Sequence, residues 1–297
     1  MIEIVIPARK KDLGGGLEVG RVLPFAKRRM VGPFAFLDHM GPVEFAPGQG
    51  VDVRPHPHIG LATVTYLFDG EILHHDNLGT VQAILPGEVN WMTAGRGIVH
   101  SERTKAERRA RGGTADGIQA WVALPVEHEE IAPSFAHREA RDLPRFDEGG
   151  VKGTLIAGTF GGLRALETLS PLFYVHLEMQ PDRRFALPDD HAERAAYVAK
   201  GSVAVDGRPV EAGNLVVFGG GGARIETGGV PARVMLLGGT SVGPRHLWWN
   251  FVSSSLDRIE DAKRQWRAGR MALPPSDAGE FIALPEEPPP PKPTDPV

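Results

Sequence analysis

The 297-residue chain contains no cysteine, and this one absence removes disulfides, thiolate nucleophiles, zinc-ribbon sites and iron–sulfur clusters together. Any metal must therefore sit on nitrogen and oxygen. An excess of positive charge is missing too. The 33 Lys and Arg against 37 Asp and Glu leave a formal net charge of -4, with no basic footprint for direct nucleic-acid binding. No apolar run reaches the roughly 18 residues of a membrane helix. The N-terminus "MIEIVIPARKKDLGGG" has only a short apolar stretch with an acidic residue in it, which is not the pattern of a signal peptide. A cytoplasmic monomer with no membrane partner is expected.

What the chain has in plenty is punctuation, with 37 glycines and 26 prolines. Strand-sized apolar segments separated by Gly, Pro, Asn and Asp run to about residue 240, which predicts an all-β architecture of barrels or sandwiches. A degenerate repeat supports two copies of one fold. "YLFDGEILHHD" followed by "LPGEVNWM" parallels "YVAKGSVAVDG" followed by "EAGNLVVF". The polar, Pro/Gly-containing stretch "EHEEIAPSFAHREARDLPRFDEGG" reads as the linker, giving expected domains over 1–130 and 131–273. A late amphipathic helix is expected over 255–268. Leu256, Ile259, Ala262 and Trp266 form its stripe, Ser254 and Asp257 a capping box, and Gly269 its end. The Pro-rich tail, 274–297, is expected to be extended and disordered.

Two short pairs carry the chemistry. In "RPHPHIG", His56 and His58 lie two apart and leave one face of a strand; in "MTAGRGIVHSERT", His100 and Glu102 do the same. Neither pair is informative alone, since a chain this rich in histidine contains an H-x-H triplet by chance roughly 0.4 times. The hairpins between them make the pairs informative, because they can return the second pair beside the first. Three imidazoles and one carboxylate would then converge inside a small barrel. In the second copy the corresponding positions are Leu187 and Asp189, and the nearby His191 and Glu193 have no second donor pair, so a metal is assigned to the first half only.

Other features read plainly. His39 is expected to be a hydrogen-bonded turn or core residue, and of the adjacent His74 and His75 only one can look inward. "FGGGGARIETGG" lies between strands and reads as a hairpin, and the basic run "ERTKAERRARGG" as a solvated loop.

The blocks "FAFLDHMGPV", "PHPHIGLATVTYLFDGEI", "MTAGRGIVHSE", "GIQAWVALP" and "RHLWWNFVSSS" together resemble the pirin family, bicupins of the cupin superfamily. The resemblance implies two cupin-type β-barrels facing each other. It also implies one metal in the N-terminal barrel, held at positions that fall here on His56, His58, His100 and Glu102. Cupins in general carry the glutamate shortly after the H-x-H pair, where this chain has Ala62 and Thr63; pirins carry it two residues after the third histidine, as here. By the same resemblance the cofactor is one divalent transition metal, with Fe(II) expected, and the nitrogen and oxygen donors also suit Mn, Ni, Cu or Zn.

The activity implied is that of a quercetin 2,3-dioxygenase. A flavonol or related small phenolic binds through its 3-hydroxyl, Glu102 accepts the proton as ligand and catalytic base, and O2 adds to the enolate. The alternative implied by the family is a redox-sensing regulatory protein, acting as a transcription cofactor or as partner of a metabolic enzyme. A zinc-bound isomerase working without oxygen is a third.

Overall fold

The computed structural model describes residues 1–13 and 17–286. Two similar halves pack together, each built from a large and a small antiparallel sheet. In the first half the large sheet has seven strands, in the order Ser134–Arg138, Val89–Thr93, Leu61–Asp69, Gly113–Ala123, Phe34–Phe45, Glu18–Leu23 and Arg9–Asp12. Its small sheet has four, in the order Asp52–His58, Ile98–Arg103, Ile72–Asp76 and Val81–Ile84. The second half repeats the plan, with a large sheet centred on Glu193–Lys200, Ala232–Gly239 and Leu172–Met179 and a small sheet of four strands. The all-β, two-barrel expectation holds.

The central strands of the large sheets are buried on both faces, which is why they read as near-continuous apolar runs and not as alternation. In Leu61–Asp69, the side chains of Ala62, Val64 and Tyr66 enter a core shared by the two halves, where they join Ile156, Tyr174, Tyr197 and Leu237. Leu61 and Leu67 belong instead to clusters inside the first barrel. The same alternation along Gly113–Ala123 sends Ile118, Ala120 and Val122 to the shared core and leaves Gln119 and Trp121 on the barrel side. The second barrel is filled with apolar side chains, including Val175, Phe185, Leu187 and Ile225.

Sheet membership does not follow a division at 130/131. Strand Ile2–Pro7 pairs with Asn214–Phe218 of the second half, and Ser134–Arg138 pairs with Val89–Thr93 of the first. Each covers an edge that would otherwise present unpaired backbone groups, a service that hydrophobic patterning does not reveal. The basic run after Arg103 also departs from a simple loop: Ala106–Arg111 is a short helix with no buried residue.

The late helix spans Leu256–Arg267, capped by Ser255, whose side chain accepts from the Arg258 N–H. The cap is thus one residue later than Ser254, whose hydroxyl donates to Glu129 instead. Leu256 is exposed, and the buried stripe is Ile259, Ala262, Lys263 and Trp266. Ile259 and Ala262 pack against Ile59 and Phe251, so the helix braces the chain directly after His58.

Residues 274–286 carry no helix or strand, yet they do not stand free. Asp277 accepts from Ser101 Oγ at 2.6 Å and from Arg103 Nε at 2.8 Å. The Ile282 N–H donates to Pro55 O at 2.8 Å, and Trp266 Nε1 donates to Ile282 O at 3.0 Å. Composition reports what the segment prefers when alone, and these tertiary bonds override it. The rest of the tail, 287–297, lies outside the described residues. Among the described residues no helix is long and apolar enough to cross a membrane.

Candidate metal centre

Strands Asp52–His58 and Ile98–Arg103 run antiparallel, with His56 opposite His100 and His58 opposite Ile98. The register shifts between His100 and Glu102, where Glu102 faces Val53 and leaves Arg54 and Pro55 without a partner of their own. Pro55 has no N–H to offer a ladder, and Asp52–His58 is the edge of its sheet, where proline is tolerated. The two-residue spacing then brings three imidazoles onto one inward face. Ligand atoms of His56, His58 and His100 lie within 4.8 Å of one another, all buried.

The hydrogen bonds orient the rings. His56 Nδ1 donates to Arg54 O at 2.8 Å, and His58 Nδ1 donates to Asn250 O at 3.2 Å. With each Nδ1 proton given to a carbonyl, the Nε2 of both neutral rings is a lone pair. His58 Nε2 faces His100 Nε2 at 3.1 Å. Two nitrogens bound at right angles to one ion, each about 2.1 Å from it, are about 3 Å apart. The donor set therefore fits a metal. Burial holds the rings in this form, pushing His56 down to about 4 and His58 and His100 well below the ordinary histidine value. Neutral imidazole is the form that ligates.

Glu102 is buried beside this cluster, but its oxygens are not among the gathered donor atoms. They accept from Gln119 Nε2 at 2.9 and 3.0 Å and from Thr65 Oγ1 at 3.4 Å. Burial raises the Glu102 carboxyl above its usual range, against the pull of the Gln119 bond. Both His56 and Glu102 line a cleft of about 470 Å³. Its walls include Phe36 and Trp121, stacked at 3.9 Å with 12° between planes, and Trp249 from the second half. Arg21 lies 4.4 Å from the Phe36 ring centroid and is held by both Asp38 oxygens at 2.8 Å.

Of the remaining histidines, His74 is the inward one and contacts His100, whereas His75 is half-buried and bonds Ser276. His39 is a core residue between Tyr197 and Asp116. In the second half Leu187 is packed into the barrel core, and Glu193 bonds Arg28 and the Gly32 N–H. Among the described residues, His56, His58 and His100 are the one cluster of its kind. Sequence reasoning missed Gln119, Thr65 and the Asn250 carbonyl. A lone amide in the apolar run "GIQAWVALP" was the available signal for Gln119; a backbone carbonyl leaves none.

Comparison with known proteins agrees with this geometry. The family model described as Pirin matches residues 16–122, and the Pirin C-terminal cupin domain matches 174–272. A pirin-like protein of Caulobacter vibrioides is 58% identical over 290 residues, covering 96% of this chain and 100% of that protein. A Pseudomonas aeruginosa protein provisionally named a quercetin 2,3-dioxygenase is 42% identical over 268 residues, covering 89% of this chain and 83% of its own. The crystal structure of a quercetin 2,3-dioxygenase from Acinetobacter baumannii superposes with a TM-score of 0.88 at 34% identity, over 96% of this chain and 95% of that one.

Proposed function

The chain belongs to the pirin family, and on that premise we propose that it is a metal-dependent dioxygenase that opens the ring of flavonols or related phenolics. The observation that carries this reading is the set of three buried imidazoles, one of which, His56, opens onto a cleft whose wall also holds the buried Glu102. His56, His58 and His100 would hold one divalent ion, Fe(II) by family resemblance, with Glu102, held beside them by Gln119, as the fourth candidate ligand. A bound ion of this kind supplies Lewis acidity toward a substrate oxygen and a site where dioxygen chemistry can proceed.

The protein's own groups do the rest. Glu102, its proton affinity raised by burial, takes the proton of the flavonol 3-hydroxyl. Gln119 and Thr65 donate to the carboxylate and fix its place before and after that transfer. The stacked Phe36–Trp121 pair offers a flat wall to a planar ring system. The metal-binding unit is the first half, 1–130 by the sequence division, completed by Trp249 and the Asn250 carbonyl from the second.

Metal analysis of the purified protein, paired with aerobic and anaerobic assays on quercetin, tests the proposal. One ion per chain and oxygen uptake stoichiometric with flavonol are expected. Metal bound without any oxygen uptake would refute catalysis and favour the regulatory role.

A further inference from the structure

Behind His100 lies a buried chain of polar groups that the reaction itself does not use. His100 Nδ1 meets His74 Nδ1 at 3.4 Å, and His74 Nε2 meets Asp76 Oδ2 at 3.1 Å. Asp76 is fully buried, and its other oxygen accepts the backbone N–H groups of Leu78 at 2.9 Å and Thr80 at 3.0 Å. The His74 ring is clamped by Phe135, with centroids 4.5 Å apart and 24° between planes. His56 and His58 have carbonyls to fix their tautomers; among the described residues, His100 Nδ1 has only this chain.

We propose that His74 and Asp76 are positioning residues that set the tautomer of His100 and so aim its Nε2 lone pair at the metal. A carboxylate can only accept, so Asp76 places the His74 proton on Nε2. His74 Nδ1 is then an acceptor, and it draws the His100 proton onto Nδ1. That leaves His100 Nε2 unprotonated where it faces His58 Nε2. The geometry extends the common carboxylate–histidine support of a metal ligand by one further imidazole. The inference rests on the metal-site reading above.

The two anchors on Asp76 Oδ1 make the relay reversible by one substitution. In Asp76→Asn the side-chain oxygen stays with the Leu78 and Thr80 donors, so the new NH2 points at His74 Nε2. Each proton in the chain then moves to the other nitrogen, and His100 presents an N–H to the metal. Long-range ¹H–¹⁵N correlation on the metal-free protein reads this directly. The wild type should show His100 protonated at Nδ1 and bare at Nε2, and Asp76→Asn the reverse. Zinc affinity, measured by chelator competition, should fall about 10–100-fold in Asp76→Asn. It should fall less in His74→Leu, where no group enforces the wrong tautomer.

A wild-type His100 carrying its proton on Nε2, or a His74 protonated on both nitrogens, would overturn the relay even if metal binds normally. So would a folded Asp76→Asn with an unchanged proton pattern. Conversely, failure of the wild type to take up zinc would sink the metal-site reading while the tautomer pattern still decides the relay. Should Asp76→Asn not fold, the wild-type spectrum and the zinc affinity of His74→Leu carry the test.

Discussion

At the residue scale, the acid–base behaviour of the site follows from burial. His56 is lowered from 6.5 to about 4 in the folded chain, so between these values the unfolded state binds the proton that the native state refuses. Stability therefore rises with pH across that window and is lost as pH falls from 6.5 toward 4. His58 and His100, lowered by the same burial, add to the same slope. Thermal melts of the metal-free protein should show a melting temperature that falls through this range, with a shallower fall in His56→Gln. Glu102 has the opposite sign: its raised carboxyl makes the fold bind a proton more tightly than the unfolded chain, so its ionisation opposes folding as pH rises. If Glu102 takes the substrate proton, Glu102→Gln should lower kcat by about 10²–10⁴-fold, and metal content measured alongside separates lost chemistry from lost binding.

The three imidazoles were legible in the sequence because a period of two is the signature of a strand face, and the H-x-H and H-x-E pairs both carry it. The partners that aim them were not. Arg54 O and Asn250 O are backbone atoms with no residue-type signal, and His74 with Asp76 reads as an ordinary polar hairpin strand until folding lays it beside His100.

At the scale of elements, the site depends on segments that grip its strands from outside. Gly60, just past His58, has φ +67, and a Cβ there would meet Val252 O at 2.0 Å. Gly60→Ala should thus cost about 1–3 kcal/mol in denaturant melts through backbone strain alone, and the shift in Val252 should loosen the nearby Asn250 carbonyl from His58. The helix Leu256–Arg267 was readable from its stripe and its serine-rich start. Its cap slipped by one residue because Glu129 claims the Ser254 N–H and hydroxyl, a competitor 125 positions away. Residues 274–286 depart from the disordered expectation for a related reason: composition describes a preference, whereas Asp277 and Ile282 find partners on strands that carry His56 and His100. Truncation at Leu273 should speed amide hydrogen exchange across Ile98–Arg103, with the strands of the second barrel unaffected.

At the scale of the molecule, a half-buried polar network joins the two large sheets at the margin of their shared apolar core. Tyr197 meets His39 at 2.9 Å, His39 meets Asp116 at 2.8 Å, and Arg233 bridges Asp116 at 3.3 Å to Glu178 at 2.7 Å. His176 then links Glu178 at 3.1 Å to Tyr66 at 3.0 Å. Burial alone would raise Glu178, but the bonds from His176 and Arg233 win and hold it down to about 2. Arg233→Met should destabilise the protein by no more than about 1 kcal/mol, because Asp116 and Glu178 keep their histidine partners and reach solvent, as read in chemical denaturation at neutral pH.

The exchange of strands between the halves has a mechanical meaning. A doubled barrel in which Ile2–Pro7 is stitched into the later copy, and Asp277 and Ile282 lace over the earlier one, holds its two copies together. Each has a rim that a strand from the other's side of the sequence completes. The second barrel thereby serves as a frame for the first, lending Trp249 and the Asn250 carbonyl to the site.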